Sequence, residues 1–324
     1  MTIKEEKLKI IESKNQLKLF GFTKYFNSFK ILFERGKLPN TILLSGPKGS
    51  GKATFIYHFI NFLLSYKEKN SYSLPDFTIH FDNMSYKSIC SNTNPNFSLL
   101  DSNINDENIK IEKIRNLINF LSKSTYSSNI KLILIDNAEF LNLNSSNALL
   151  KVLEESNRRT FFFIIHNSNE KILNTIKSRC IEFKISFSLE EKKEILGNIV
   201  KQYADNFDLN SVNEDLYLDS PGNILKYLLI LQDNNIDFLH KKLESILILS
   251  DKYKKTNDSN LLNLIMMMIE LHYRDLSIRD TNNITFYETK KIKLLSDIKF
   301  VKKFNLDKKN FFTTLIGELE HESK

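Results

Sequence analysis

The seven residues Gly46-Pro47-Lys48-Gly49-Ser50-Gly51-Lys52 have the glycine and lysine spacing of a loop that cradles phosphates. Gly46, Gly49 and Gly51 let backbone N–H groups turn toward phosphate oxygens. Lys52 would reach the β- and γ-phosphates, and the helix that follows would present its positive end. The next position ordinarily holds Ser or Thr, whose hydroxyl binds Mg²⁺. Here it is Ala53. Thr54 is one helical step further and turned about 100° away, so it is no simple replacement. The spacing predicts a nucleotide-type loop, and the missing hydroxyl argues against efficient turnover.

A second feature, an acidic strand end, supports the same reading. The apolar run "KLILID" ends in Asp136, where a carboxylate would hold Mg²⁺ through water. In many enzymes of this kind the next residue is a Glu that polarises the attacking water, but here it is Asn137, an amide that cannot accept a proton. Glu139 lies two residues on, beyond the strand's end, where the strand no longer aims its side chain. Gly46, Gly49, Gly51, Lys52, Thr54 and Asp136 are therefore the candidate contacts of a degenerate nucleotide site. It could still hold ATP or ADP, and no cofactor is required. A third chemical feature is Ser178-Arg179-Cys180, at the edge of the same region. An arginine outside its own phosphate loop can act in trans on a neighbour's transition state, or it can simply be a surface cation. Cys180 reads as a small buried apolar residue, His166 and Asn167 as polar residues at a strand end, and Arg158 and Arg159 as cations at a helix end.

The elements that must position these residues come from hydrophobic patterning. The runs 41–45 ("TILLS"), 131–136 ("KLILID") and 160–166 ("TFFFIIH") read as buried parallel strands, with 77–81 ("FTIHF") and 181–185 ("IEFKI") as weaker ones. Helical patterns separate them: "KATFIYHFINFLLSYK", "NIKIEKIRNLINFLSK" and "SSNALLKVLEES". Strands alternating with helices predict a three-layer α/β domain. The Asn- and Ser-rich segment 85–108 reads as an excursion or loop. After residue 187 only helical spacing is found. The apolar stretch "LLNLIMMMIEL" is either a surface that needs partners or a domain core. The boundaries expected are 1–185 for the α/β core, 186–235 for a small helical subdomain and 236–324 for a second helical domain.

Composition narrows the function classes. A hydrophobic fraction of 41% with 26% charged residues describes an ordinary globular chain rather than a disordered one. A net charge of +7 is spread along 324 residues, so it favours a polyanionic partner only weakly. Two distant cysteines, Cys90 and Cys180, exclude a disulfide scaffold and a four-Cys zinc site within the chain. No apolar run reaches the roughly 20 residues of a membrane span, and the charged start lacks a signal-peptide core. The expected setting is a reducing cytoplasm, without membrane, metal or zinc.

With these pieces placed, the sequence resembles the delta prime family of bacterial DNA polymerase III clamp-loader subunits, within the AAA+ superfamily. The resemblance is carried by "LPNTILLSGPKGSGKAT", "LILIDNAEFLNLNSSNALLKVLEES" and "NTIKSRCIEF", in that order. It is firm over about residues 18–185 and weak beyond 235. It implies an AAA+ P-loop core with a parallel sheet, a small helical lid and an all-α C-terminal collar domain. It also implies a place in a hetero-pentameric ring with motor (gamma/tau) and delta subunits, which loads a sliding clamp on primed DNA. In that family delta prime is a stator that does not hydrolyse ATP. It donates the arginine of its SRC motif, here Arg179, to an adjacent motor. Motor subunits also carry a lid arginine where this chain has Asn223. Two rival readings make different predictions: a working ATPase, with Thr54 and Glu139 taking over, or a DNA-binding module acting alone.

Overall fold

The computed structural model describes residues 10–102, 108–123, 130–202, 214–234, 236, 242–304 and 306–322. These residues form two compact units. The first comprises the described residues of Lys9–Phe207 with Asp219–Gly222, and the second those of Asp208–Leu218 and Asn223–Lys324.

The first unit is built on a parallel five-stranded sheet. Its strands are β1 (Thr41–Gly46), β2 (Phe97–Leu100), β3 (Lys131–Ile135), β4 (Thr160–Asn167) and β5 (Ile181–Lys184), in the order β2-β3-β4-β1-β5. The apolar runs form central strands because both faces of the sheet are covered. Ile42, Leu44, Leu132, Leu134, Phe163 and Ile165 enter one core cluster, while Leu43, Ile133, Ile135, Phe162 and Ile164 enter another. Successive side chains of a strand point to opposite faces, so unbroken hydrophobicity here marks two cores rather than one.

Helices α1 (Thr23–Glu34), α2 (Lys52–Leu64) and α3 (Met84–Cys90) contribute to the first core, which is unusually aromatic. Phe22 stacks on Phe55 at 4.9 Å, and Phe26 and Phe29 meet Phe59 edge-on. Each buried ring contributes roughly 1.5–3 kcal/mol by leaving water. Helices α4 (Ile111–Ser122), α5 (Leu143–Glu155) and α6 (Asn174–Lys177) belong to the opposite face, where Ile114, Leu117, Leu149, Val152, Leu153 and Ile176 are buried. Helix α7 (Leu189–Val200) starts with a capping box between Ser188 and Glu191.

Two expectations fail here. "FTIHF" (77–81) forms no strand: Thr78 makes only isolated bridges to Lys18 and Ser73. The segment 85–108, expected as a loop, holds most of α3 and the whole of β2, an edge strand paired to β3 through Phe97↔Leu132 and Leu100↔Ile135. Residues 103–107 of that stretch lie outside the described residues.

In the second unit every regular element among the described residues is helical. A 3₁₀ turn (Glu214–Leu218) precedes α8 (Pro221–Asp233, whose first two residues count with the first unit), α9 (Lys242–Thr256), α10 (Ser259–Arg279), α11 (Ile284–Phe304) and α12 (Lys308–Glu322). Helix α10 packs against α9 and α11, and Tyr253 of α9 meets Phe312 of α12 at 5.3 Å. The stretch "LLNLIMMMIEL" is core: Leu261, Leu262, Leu264, Ile265, Met268 and Ile269 are all buried. Its apolarity therefore reflects packing inside the chain.

Candidate functional site

Parallel strands bring their carboxyl ends to one edge of the sheet, where ligands of open α/β folds bind. Gly46 at the end of β1 is in register with Asn167 at the end of β4, and Asp136 directly follows β3. The loop from Gly46 to Lys52 connects β1 to α2. Gly49 and Gly51 have φ of +81° and +88°, the left-handed region that glycine tolerates without strain. Gly46 is needed for a different reason: a Cβ there would lie 2.6 Å from the Ile185 carbonyl oxygen, just past β5. Its glycine is required by strand packing as well as by any phosphate.

Lys52 is buried and turned back on its own loop. Its ammonium donates to the carbonyls of Gly46 (2.8 Å) and Pro47 (2.6 Å), and reaches Ser50 Oγ at 3.4 Å. An ammonium has three donors, and all three are used. Burial lowers its pKa to about 8, against the opposing pull of Asp136 and Glu139. The next two loop carbonyls are bonded as well: Ser220 Oγ donates to Lys48 O (2.6 Å), and Gly222 N–H donates to Gly49 O (2.9 Å). The approach is close enough that a Cβ on Gly222 would fall 2.6 Å from Gly49 O. All four carbonyls from Gly46 to Gly49 thus accept hydrogen bonds from this chain. Ala53 lies partly buried against the aromatic core, and Thr54 follows it on α2.

The acidic end of β3 is equally self-contained. Burial raises the Asp136 pKa to about 6, and the neighbouring carboxylates of Asp101 and Glu139 push the same way, while the Asn137 N–H and Lys52 oppose them. Asn137 adopts φ +54°, donates its backbone N–H to Asp136 Oδ1 (2.9 Å) and sends its amide to Asp101 Oδ1 (2.9 Å). Glu139 accepts from Asn167 N–H at 3.2 Å, and His166 Nε2 bonds the Glu170 carbonyl at 3.0 Å. His166 and Asn167 thus serve as the end of β4. Among the described residues, no group of three or more His, Cys, Asp or Glu side chains could hold a metal ion.

Arg179 is in contrasting surroundings. It follows the short α6, anchored by its N–H to the Ile176 carbonyl, and its side chain remains 39% exposed. Nε donates to Glu154 Oε1 at 2.6 Å, Nη2 approaches the same oxygen at 2.5 Å, and Nη1 donates to Thr175 O at 3.1 Å. Cys180 donates Sγ–H to Ile176 O, and burial raises its pKa to about 12, which makes it inert. The structure therefore brings Lys52, Asp136 and Glu139 within electrostatic reach of one another. Among the described residues, Arg179 contacts Glu154 and Thr175 rather than these three. Asn223 lies in the first turn of α8. Sequence reasoning passed over Asp101, Glu154, Ser220 and Gly222. Glu154 lies inside the "SSNALLKVLEES" helix, and Ser220 and Gly222 flank Pro221 at the start of α8.

The protein-family model described as "DNA polymerase III, delta subunit" matches residues 22–188, just over half of the chain. The chain belongs to the DNA polymerase III delta-subunit family. The match spans all five strands, the phosphate loop, Asp136 and Arg179, but not Ser220 or Gly222. Among curated relatives, a DNA polymerase III subunit gamma of Buchnera aphidicola (subsp. Schizaphis graminum) is 32% identical over 211 residues, covering 63% of this chain and 56% of the relative. A subunit delta' of Pseudomonas aeruginosa is 28% identical over 148 residues, covering 46% and 43%. A subunit delta' of Buchnera aphidicola (subsp. Acyrthosiphon pisum) is 24% identical over 296 residues, covering 89% and 84%. The chain thus spans about half the length of the first two. The α/β fold with a parallel sheet and a helical C-terminal part, implied by the resemblance, holds. So does the coarser assignment of a clamp-loader-related subunit of DNA polymerase III. No helix among the described residues is long and apolar enough to cross a membrane.

Proposed function

We propose that this family member is a delta prime-type stator, which turns over no ATP itself and lends Arg179 to the ATP site of a neighbouring motor subunit. The observation that carries this reading is the contrast between the two ends of the site. The phosphate loop has spent its lysine on its own carbonyls and lacks both the Ser/Thr and the Glu that turnover needs. Arg179 remains on the surface. A nucleotide entering the loop would have to displace Lys52 from three acceptors, and Ala53 would offer it no oxygen for Mg²⁺. ATP or ADP bound there would therefore be a structural ligand, not a fuel.

On this reading the partners are the gamma/tau and delta subunits of a pentameric ring, the sliding clamp and primed DNA, all in the cytoplasm. The gamma relative favours a second reading, an ATP-hydrolysing motor, with Thr54 and Glu139 as its required substitutes.

The deciding experiment is steady-state ATP hydrolysis by the purified chain with Mg²⁺, with and without primed DNA, followed by reconstitution with the motor subunits. The stator reading expects no turnover alone and a fall in the complex on Arg179→Ala. Turnover by the chain alone that Lys52→Ala abolishes would establish the motor instead.

A further inference from the structure

Resting on the reading of Arg179 just given, we infer that Glu154 is the positioning residue of the arginine finger. It holds the guanidinium by one edge and leaves the terminal nitrogens to meet a phosphate. A guanidinium has five N–H donors. Among the described residues three are engaged: Nε and one Nη2 proton on Glu154 Oε1, and one Nη1 proton on Thr175 O. The two that remain are one on each terminal nitrogen, the pair that can fork onto a phosphate.

The carboxylate that fixes this orientation is itself fixed by the fold. Glu154 lies in the last turn of α5, next to Leu153, which is buried with Leu149 in the core that also buries Ile176 of α6. The Arg179 backbone is tied to that same Ile176. Both partners therefore hang from one packed cluster, and the angle of the finger is set before any neighbour arrives. A free arginine would lose its rotamer freedom on docking. Pre-ordering removes that cost from the transition state, where it would appear in kcat. The pair is exposed on both sides, at 39% and 53%, so its effect on stability is small. Its value lies in orientation.

The test is ATP turnover by the full complex containing the ATP-hydrolysing subunits, with this chain as wild type, Arg179→Ala, Glu154→Ala, Glu154→Asp and the double variant. Assembly is checked by gel filtration. Glu154→Ala should lower kcat roughly 5-fold with KM unchanged. Glu154→Asp should recover part of that loss. Glu154→Ala should do nothing further in the Arg179→Ala background. Full turnover by Glu154→Ala, or an equal loss in the Arg179→Ala background, overturns the inference and leaves the finger standing. Higher turnover by Glu154→Ala would identify a latch that restrains Arg179, the opposite role. If Arg179→Ala itself changes nothing, the finger and its positioning residue both fall.

Discussion

The phosphate loop and the Arg179 turn lie in the same α/β unit, yet they manage their charge in opposite ways. At Lys52 the cation is buried, its three donors satisfied by its own loop, and its pKa depressed to about 8. At Arg179 the cation is exposed and holds two donors in reserve beside an anchoring carboxylate. Desolvating an ammonium is costly unless a counter-charge repays it. In a working site that counter-charge is the nucleotide, and in this chain carbonyl dipoles stand in for it. On the stator reading, the fold keeps the shape of a phosphate site without its chemistry, because the shape has become part of the packing.

The largest effect that would break this comparison is a reversal of which cation matters. In the assembled complex, Arg179→Ala should lower ATP turnover at least about 10-fold, since fingers supply orders of magnitude at the site they serve. Lys52→Ala in the same complex should leave turnover within about twofold. Turnover assays on both reconstituted variants decide the matter, and equal losses would mean that the loop still handles nucleotide.

How much of this contrast could be read from sequence depended on whether a feature was local. The runs that became β1, β3 and β4 were legible because a strand buried on two faces must be apolar throughout. Strand β2 was not, because it is an edge strand of four residues inside an Asn-rich stretch. "FTIHF" had strand composition, but nothing beyond isolated bridges was available to pair with it. At the site, the loop and Asp136 could be read from spacing and residue type, whereas the finger reading of Arg179 came only from the family resemblance. Ser220 on Lys48 and Glu154 on Arg179 were not legible, since those contacts join residues 172 and 25 positions apart. Residue type can show that a site has lost a catalytic group, but only coordinates show what fills its place.

A smaller effect tests whether the loop is now architecture. Gly46→Ala would push a Cβ to 2.6 Å from Ile185 O, and Gly222→Ala would do the same to Gly49 O. Backbone atoms cannot step aside cheaply, so each variant should lose about 1–3 kcal/mol in urea denaturation, without any nucleotide present. Variants as stable as the wild type would show that the loop is free to move away, and with it free to open for a phosphate.

The acidic end of β3 should show the same character in its pH dependence. Folding raises the Asp136 pKa from 3.8 to about 6, chiefly through burial and then through Asp101. The folded chain therefore binds this proton more tightly than the unfolded chain does. The stability it contributes is complete below pH ~4 and is lost as pH rises through about 6. Asp136→Asn keeps the acceptor for the Asn137 N–H and removes the charge. It should be more stable than wild type by about 3 kcal/mol at pH 7.5, with the gap closing near pH 4. A constant gap across that range would mean that the carboxylate ionises without penalty.

The finest test is to restore the missing glutamate. Asn137 occupies the left-handed region at φ +54° and spends its amide on Asp101. A glutamate there would adopt a backbone conformation that short polar residues tolerate better, and it would add a carboxylate beside Asp101, Asp136 and Glu139. Asn137→Glu should therefore cost about 1 kcal/mol of stability. It should give the isolated chain no Mg²⁺-dependent turnover, because Ala53 still withholds the metal ligand. Turnover appearing on this single change would mean that Asn137 alone had silenced the site, and that the folded-back Lys52 yields readily to ATP. The phosphate loop and Arg179 would then differ in occupancy rather than in kind.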